Sequence, residues 1–205
     1  PLARHVHLDS LAAGPPGLTG AELANLVNEA ALLSARHGRP AIGQAELEEG
    51  VMRVIAGPER KTRVFSELER KITAYHEMGH ALVGHFLEHT DPVHKISIVS
   101  RGQALGLTVS LPTEDRFLTS RSALMDQLAM VLGGRAAEEL VFNEITTGAS
   151  NDLERATAMA RQMVTRLGMS EKLGPRVFGS DPRQPFLGRE LGAEPSYSEE
   201  MAQEI

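Results

Sequence analysis

Two histidines and a glutamate occur in the order His76-Glu77-Met78-Gly79-His80. In an α-helix, residues four apart point about 40° from each other. His76 and His80 therefore share a face and can hold one Zn²⁺ through ring nitrogens. Glu77 sits on the neighbouring face, close enough to act on a water at the metal. Two ligands and a base on one helix are the chemistry of a zinc peptidase. A catalytic zinc also needs a third protein ligand and one open position. The chain contains no cysteine, so that ligand must be a histidine or a carboxylate.

Glu88 cannot be that ligand. It lies on the same helix, two turns beyond His80 and rotated by about 80°. The long metzincin pattern is also excluded, because Val83 and Phe86 stand where its glycine and third histidine belong. Carboxylates further along the chain remain: Glu138, Glu139, Glu144, Asp152 and Glu154. Spacing does not choose among them. Asp152 has one physical merit, since the first turn of a helix holds a short side chain firmly. Glu138 and Glu139 can instead pair with Arg135 or lie in solvent. The other histidines read as non-ligands. His85 and His89 point about 140° and 180° away from His80, and His5, His7, His37 and His94 are remote in the sequence. A shuffled chain of this composition contains the His-Glu-x-x-His pattern about 0.03 times, so the pattern alone does not decide the function.

The zinc pair needs a helix to carry it. Ser66-x-x-Glu69 has capping-box spacing and opens a helix at about 67–88. Leu68, Ile72, Tyr75, Gly79, Leu82, Val83 and Phe86 give it a broad apolar side. Upstream, residues 1–17 read as a lead-in ending in the breaker Gly14-Pro15-Pro16-Gly17. Thr19-x-x-Glu22 then caps a helix whose stripe is Leu23, Leu26, Val27, Ala30 and Leu33. Gly38 ends it. A second helix over about 44–56 carries Leu47, Val51, Val54 and Ile55. The polar run Gly57 to Arg63 reads as a linker. Beyond the zinc helix, two strands are expected, over 94–99 with Ile96 and Ile98 on one face, and over 104–111. The second can offer a backbone edge to an extended peptide through Gly106, Leu107, Thr108 and Val109. From Thr119 the chain is helical, broken at Gly133-Gly134 and resuming from Ala136 to Phe142. A loop over 146–152 leads to a helix capped by Ser150 or Asn151 and ended by Gly168. Residues 177–195 read as loop, and 196–205 as the start of a helix.

Composition sets limits. The net charge of −6 gives no electrostatic reason to expect nucleic acid as a partner. No apolar run approaches the roughly 20 residues that span a bilayer.

Several blocks in order make the sequence recognisable. Leu18-Thr-Gly-Ala-Glu-Leu-Ala-Asn-Leu-Val-Asn-Glu-Ala-Ala-Leu32 and Gly57-Pro-Glu-Arg-Lys-Thr-Arg63 precede the zinc motif. Ala104-Leu-Gly-Leu-Thr, Gly133-Gly-Arg-Ala-Ala-Glu-Glu139, Thr147-Gly-Ala-Ser-Asn-Asp152 and Phe186-Leu-Gly-Arg189 follow it. With these blocks the chain resembles the FtsH family of membrane-anchored, ATP-dependent zinc proteases over nearly its whole length. The resemblance implies a mainly α fold: a helical AAA+ lid remnant over 1–57, then a predominantly helical protease domain with a short β-hairpin over 58–205. It implies one Zn²⁺ per chain held by His76, His80 and Asp152, with Glu138 as the fallback ligand and Glu77 as the catalytic base. It further implies a homohexameric ring and extended polypeptide substrates, drawn from misfolded or regulated membrane and cytosolic proteins. The parent protein is then membrane-anchored through a missing N-terminal part, with this region on the cytoplasmic side.

The chain departs from the family at Met78, where alanine is usual, and at the phosphate loop, which is absent. ATP is then used by the missing part of the parent, and this chain alone should not hydrolyse it. The alternative reading is a catalytically inactive oligomerisation or substrate-presenting module.

Overall fold

A computed structural model describes residues 1–12, 18–60, 62, 65–102, 104–112 and 116–178. The fold is mainly α. Three helices come first: α1 (Leu8–Ala12), α2 (Gly20–Arg36) and α3 (Gln44–Ala56). Thr19 and Glu22 form the expected capping box on α2. Gly38, at φ +66°, adopts the left-handed conformation that follows the helix end. Leu26 and Ala30 of α2 pack on Leu47 of α3, with Val6, Leu11, Leu18, Ile42, Val51 and Val54 around them. Leu23 and Val27 of the expected stripe stay half exposed. The short α1 and a parallel bridge from Leu2 to Ile42 tie down the lead-in, which the sequence does not suggest.

The long helix α4 (Glu67–Phe86) starts at the expected Ser66–Glu69 capping box. It packs along α5 (Arg121–Phe142), and a two-stranded antiparallel ribbon, β1 (Val93–Ser97) and β2 (Leu107–Ser110), lies against it. Ile96 pairs with Thr108 and Ser97 with Leu107. Both strands are shorter than expected. Ile96 and Ile98 remain more than a third exposed. A 3₁₀ turn (Thr147–Ala149) leads into α6 (Ser150–Thr165), which packs on α5.

Three expectations are corrected. First, Gly133-Gly134 does not break the helix; α5 runs through it without interruption. The two glycines serve close approach instead. A Cβ on Gly133 would lie 2.7 Å from the Gly79 carbonyl oxygen of α4. Second, neither Ser150 nor Asn151 caps α6. Its N-cap is Ala149, with no side-chain cap bond, and the preceding 3₁₀ turn is capped by Thr146. Third, α4 buries only part of its expected apolar side: Gly79 is buried and Ile72 and Val83 are half-buried. Leu68, Tyr75, Leu82 and Phe86 are exposed, whereas Thr73, His76, Glu77, Gly79, His80, Ala81 and Gly84 face inward. Only the small residues of that face let α5 come close enough to enclose the polar groups.

The breaker at 14–17, part of the run at 57–63, the loop from 179, the block at 186–189 and the helix start at 196–205 lie outside the described residues.

Candidate metal centre

Three side chains from two helices converge on one point. His76 and His80 project from the inward face of α4, and Asp152 from the first turn of α6. His76 Nε2 and His80 Nε2 lie 3.0 Å apart. Asp152 Oδ2 is 3.1 Å from His76 Nε2 and 3.3 Å from His80 Nε2. Four-coordinate zinc with ligand bonds of about 2.0–2.1 Å places its ligands about 3.3–3.4 Å from one another. The observed triangle is within a few tenths of an ångström of that size. Among the described residues, this is the group of metal-binding side chains whose ligand atoms converge in this way.

The far sides of both rings fix their tautomers. His76 Nδ1 lies 2.6 Å from Glu138 Oε1, and His80 Nδ1 lies 2.9 Å from the Met130 carbonyl oxygen. Both partners only accept, so each Nδ1 carries a proton and each Nε2 presents a lone pair. The Gly134 N–H also lies 3.3 Å from His80 Nδ1, but within α5 it has the Met130 carbonyl as its helical partner. With both rings neutral, two lone pairs and a carboxylate face each other across about 3 Å with no proton between them. Such a cluster is repulsive by itself and is matched by a cation. The residues present therefore fit zinc.

The electrostatics follow the same geometry. Burial alone would raise the Asp152 carboxyl, but the His76 and His80 rings beside it outweigh that and hold it well below the carboxylate range. Burial would depress His76, but its bonds to Asp152 and Glu138 prevail and raise it. Glu77 is different. Burial raises it above the usual carboxylate value, and the Thr108 hydrogen bond and the charges of His80 and His76 only partly offset that.

The structure sorts the candidates. Glu138 is 1% exposed and stands behind His76, outside the triangle, where its Oε2 also accepts from the Thr146 N–H at 2.9 Å. It pairs with neither Arg135 nor solvent. Glu139, Glu144 and Glu154 are exposed. His85 is exposed and His89 bonds Asp126, both away from the site. Met78 is 42% exposed and faces outward, so its departure from alanine does not touch the ligands. Gly106 and Thr108, singled out as substrate edge, also reach Glu77 through the strand's inner side. Thr108 Oγ1 lies 2.7 Å from Glu77 Oε2.

Sequence reasoning missed three contributors. The Met130 carbonyl carries no side-chain signal at all. Glu138 was weighed as a ligand, not as the group that aims one. Gly134 was weighed as a breaker, yet a Cβ there would lie 2.6 Å from the Nε2 atoms of both histidines. A glycine pair inside an otherwise continuous helical pattern was the available signal.

Comparison with known proteins bears on the whole chain. Residues 63–205 match the model of peptidase family M41, and residues 5–49 match that of the AAA+ lid domain. The ATP-dependent zinc metalloprotease FtsH 1 of Conexibacter woesei is 71% identical over 205 residues, all of this chain and 31% of the relative. The ATP-dependent zinc metalloprotease FtsH of Rubrobacter xylanophilus is 63% identical over 205 residues, all of this chain and 32% of the relative. The FtsH of Kosmotoga olearia is 60% identical over 196 residues, 95% of this chain and 30% of the relative. The chain thus spans about a third of the length of the relatives it matches. With one family model covering more than half of its residues, the chain belongs to peptidase family M41.

Proposed function

We propose that this chain is the proteolytic part of an ATP-dependent zinc protease and hydrolyses peptide bonds within polypeptides. The observation that carries this reading is the convergence of three lone-pair atoms, from His76, His80 and Asp152, beside the buried Glu77. Those three side chains would hold the metal, and Glu138 positions His76. Bound there, zinc acts as a Lewis acid that acidifies water and polarises the scissile carbonyl. Glu77 accepts the proton of the attacking water as its oxygen bonds to the carbonyl carbon. It returns that proton to the amine nitrogen as the C–N bond breaks. Its raised affinity for protons suits both halves of that cycle.

The substrate chain lies extended along β2. Gly106, Leu107, Thr108 and Val109 offer the strand's outer backbone edge, which pairs with nothing among the described residues. Residues 1–57 form the lid part of an AAA+ domain and 58–205 the protease domain. The lid match and the separate α1–α3 core support that division. The chain works within a homohexamer, supported by the exposed apolar residues Leu68, Tyr75, Leu82 and Phe86 on α4. ATP is consumed by the remainder of the parent. Anchoring of the parent, with this region on the cytoplasmic side, is part of the same proposal; no helix among the described residues is long and apolar enough to cross a membrane.

Metal analysis combined with cleavage of an unstructured peptide tests the reading. The expected result is one zinc per chain and cleavage abolished in Glu77→Gln with zinc retained. Absence of zinc under zinc-replete conditions overturns it and leaves the inactive presenting module, whereas undiminished cleavage by Glu77→Gln overturns the mechanism by removing Glu77 from it. Proline at Val109 tests the substrate edge separately: KM should rise sharply, and an unchanged KM counts against it.

A further inference from the structure

Glu77 is held on three sides by groups outside the metal triangle. Thr108 Oγ1 lies 2.7 Å from Glu77 Oε2 and 3.0 Å from the Glu77 main-chain oxygen. A hydroxyl has one proton to donate, and the shorter, charge-assisted contact to the carboxylate takes it. On the other oxygen, the Gly106 backbone comes so near that a Cβ there would lie 2.6 Å from Glu77 Oε1 and 2.7 Å from its Cγ. The Thr73 methyl closes the same space, 2.8 Å from that position. The glutamate is thus pinned through Oε2 and fenced along its stem. Among the described residues, no hydrogen-bond donor reaches Oε1.

We propose that Thr108 is a positioning residue for the base: its hydroxyl fixes Glu77 Oε2 so that Oε1 remains the proton-accepting atom. This rests on the peptidase reading above. The same strand has two faces of use. Its side chain at 108 pairs with the base, and its backbone edge takes the substrate. A substrate that grips β2 therefore steadies the strand that orients the base. Binding along the edge and readiness of the catalytic carboxylate are linked through one residue.

The test compares Thr108→Val, which keeps the shape and removes the hydroxyl, with Thr108→Ser, which keeps the hydroxyl. In the zinc-loaded protein, Thr108→Val should lower kcat for an unstructured peptide by about tenfold, a fraction of what a complete general base provides. KM should stay within about twofold, since the backbone edge is untouched. Thr108→Ser should recover most of the loss. A readout independent of turnover is the crystal structure of each variant without metal. Glu77 Oε2 should leave its place in Thr108→Val and keep it in Thr108→Ser. An unchanged kcat in Thr108→Val, equal losses in both variants, or an unmoved Glu77 carboxylate in Thr108→Val would each overturn the proposal. Those outcomes are distinct from failure of the peptidase reading, which shows in the Glu77→Gln protein, and from failure of the substrate edge, which shows in KM.

Discussion

Asp152 and Glu138 are both carboxylates beside His76, and their consequences differ. Asp152 Oδ2 touches both Nε2 atoms, whereas Glu138 touches only Nδ1. Removing a ligand empties the site; removing the group that aims one weakens it. Asp152→Ala should therefore lose stoichiometric zinc, while Glu138→Ala should bind zinc about 10–100-fold more weakly. Competition with a chelator measures both, and equal retention of zinc in Asp152→Ala would remove it from the ligand set. Gly134 offers a sharper probe. Away from a site, Gly→Ala inside a helix gains about 1 kcal/mol. Here the new methyl would meet the Nε2 atoms of His76 and His80 at 2.6 Å, so both must shift. Gly134→Ala should keep its helix content by circular dichroism and bind zinc at least about tenfold more weakly.

At the scale of elements, the α4–α5 contact depends on the absence of side chains. A Cβ on Gly79 would collide with the Gly133 carbonyl oxygen, and backbone cannot swing aside. Gly79→Ala should cost about 1–3 kcal/mol in thermal unfolding, outweighing its gain in helix propensity. Gly84→Ala is the control. Its Cβ would meet only the flexible end of Met130, at 3.0 Å, so stability should change little.

A second contact joins α3 to the turn after β1. Arg101 is buried and forms a two-pronged pair with Glu49, 3.0 and 2.7 Å. It also reaches Glu59 at 2.7 Å and the Gly57 carbonyl at 3.2 Å. Arg101→Ala should destabilise by about 2–3 kcal/mol. That is below the full cost of stranding a buried charge, because Glu49 and Glu59 stay 23% and 28% exposed. Burial raises the Glu49 carboxyl, but Arg101 and Arg53 outweigh it and lower its pKa. A folded-state pKa below the unfolded one gives stability that is present above the unfolded value and lost as pH falls through the folded one. Wild type should therefore melt higher than Glu49→Gln at pH 7. The gap should close below about pH 4.3, the ordinary glutamate value. A gap that persists at pH 2 would contradict the assignment.

For the whole molecule, the prediction concerns work rather than chemistry. Cutting a peptide needs an extended chain at the metal, while unfolding a stable protein needs an energy source. The matched AAA+ region here is the lid, over residues 5–49. This chain should therefore cleave unstructured peptides and leave a tightly folded protein intact. Degradation of a folded substrate without the rest of the parent, followed on a gel, would refute that division of labour.

The shared face of His76 and His80, with Glu77 beside it, was legible because it is local: a four-residue spacing in a helix fixes it whatever surrounds it. The capping boxes at Thr19 and Ser66 were legible for the same reason, since each satisfies its own helix end within three residues. The α2–α3 core also followed from periodicity, through Leu26, Ala30 and Leu47. Periodicity misread α4. Leu68, Tyr75, Leu82 and Phe86 face out and its reactive residues face in, because small side chains rather than large ones decide how near α5 can come. The same cause turned Gly133-Gly134 from an expected break into a seam. Spacing left Asp152 as one carboxylate among five, since a contact across 72 positions from His80 has no local signature. Only the packed helices brought its oxygen to 3.1 and 3.3 Å from two ring nitrogens, and set Glu138 behind one ring and Thr108 against the base.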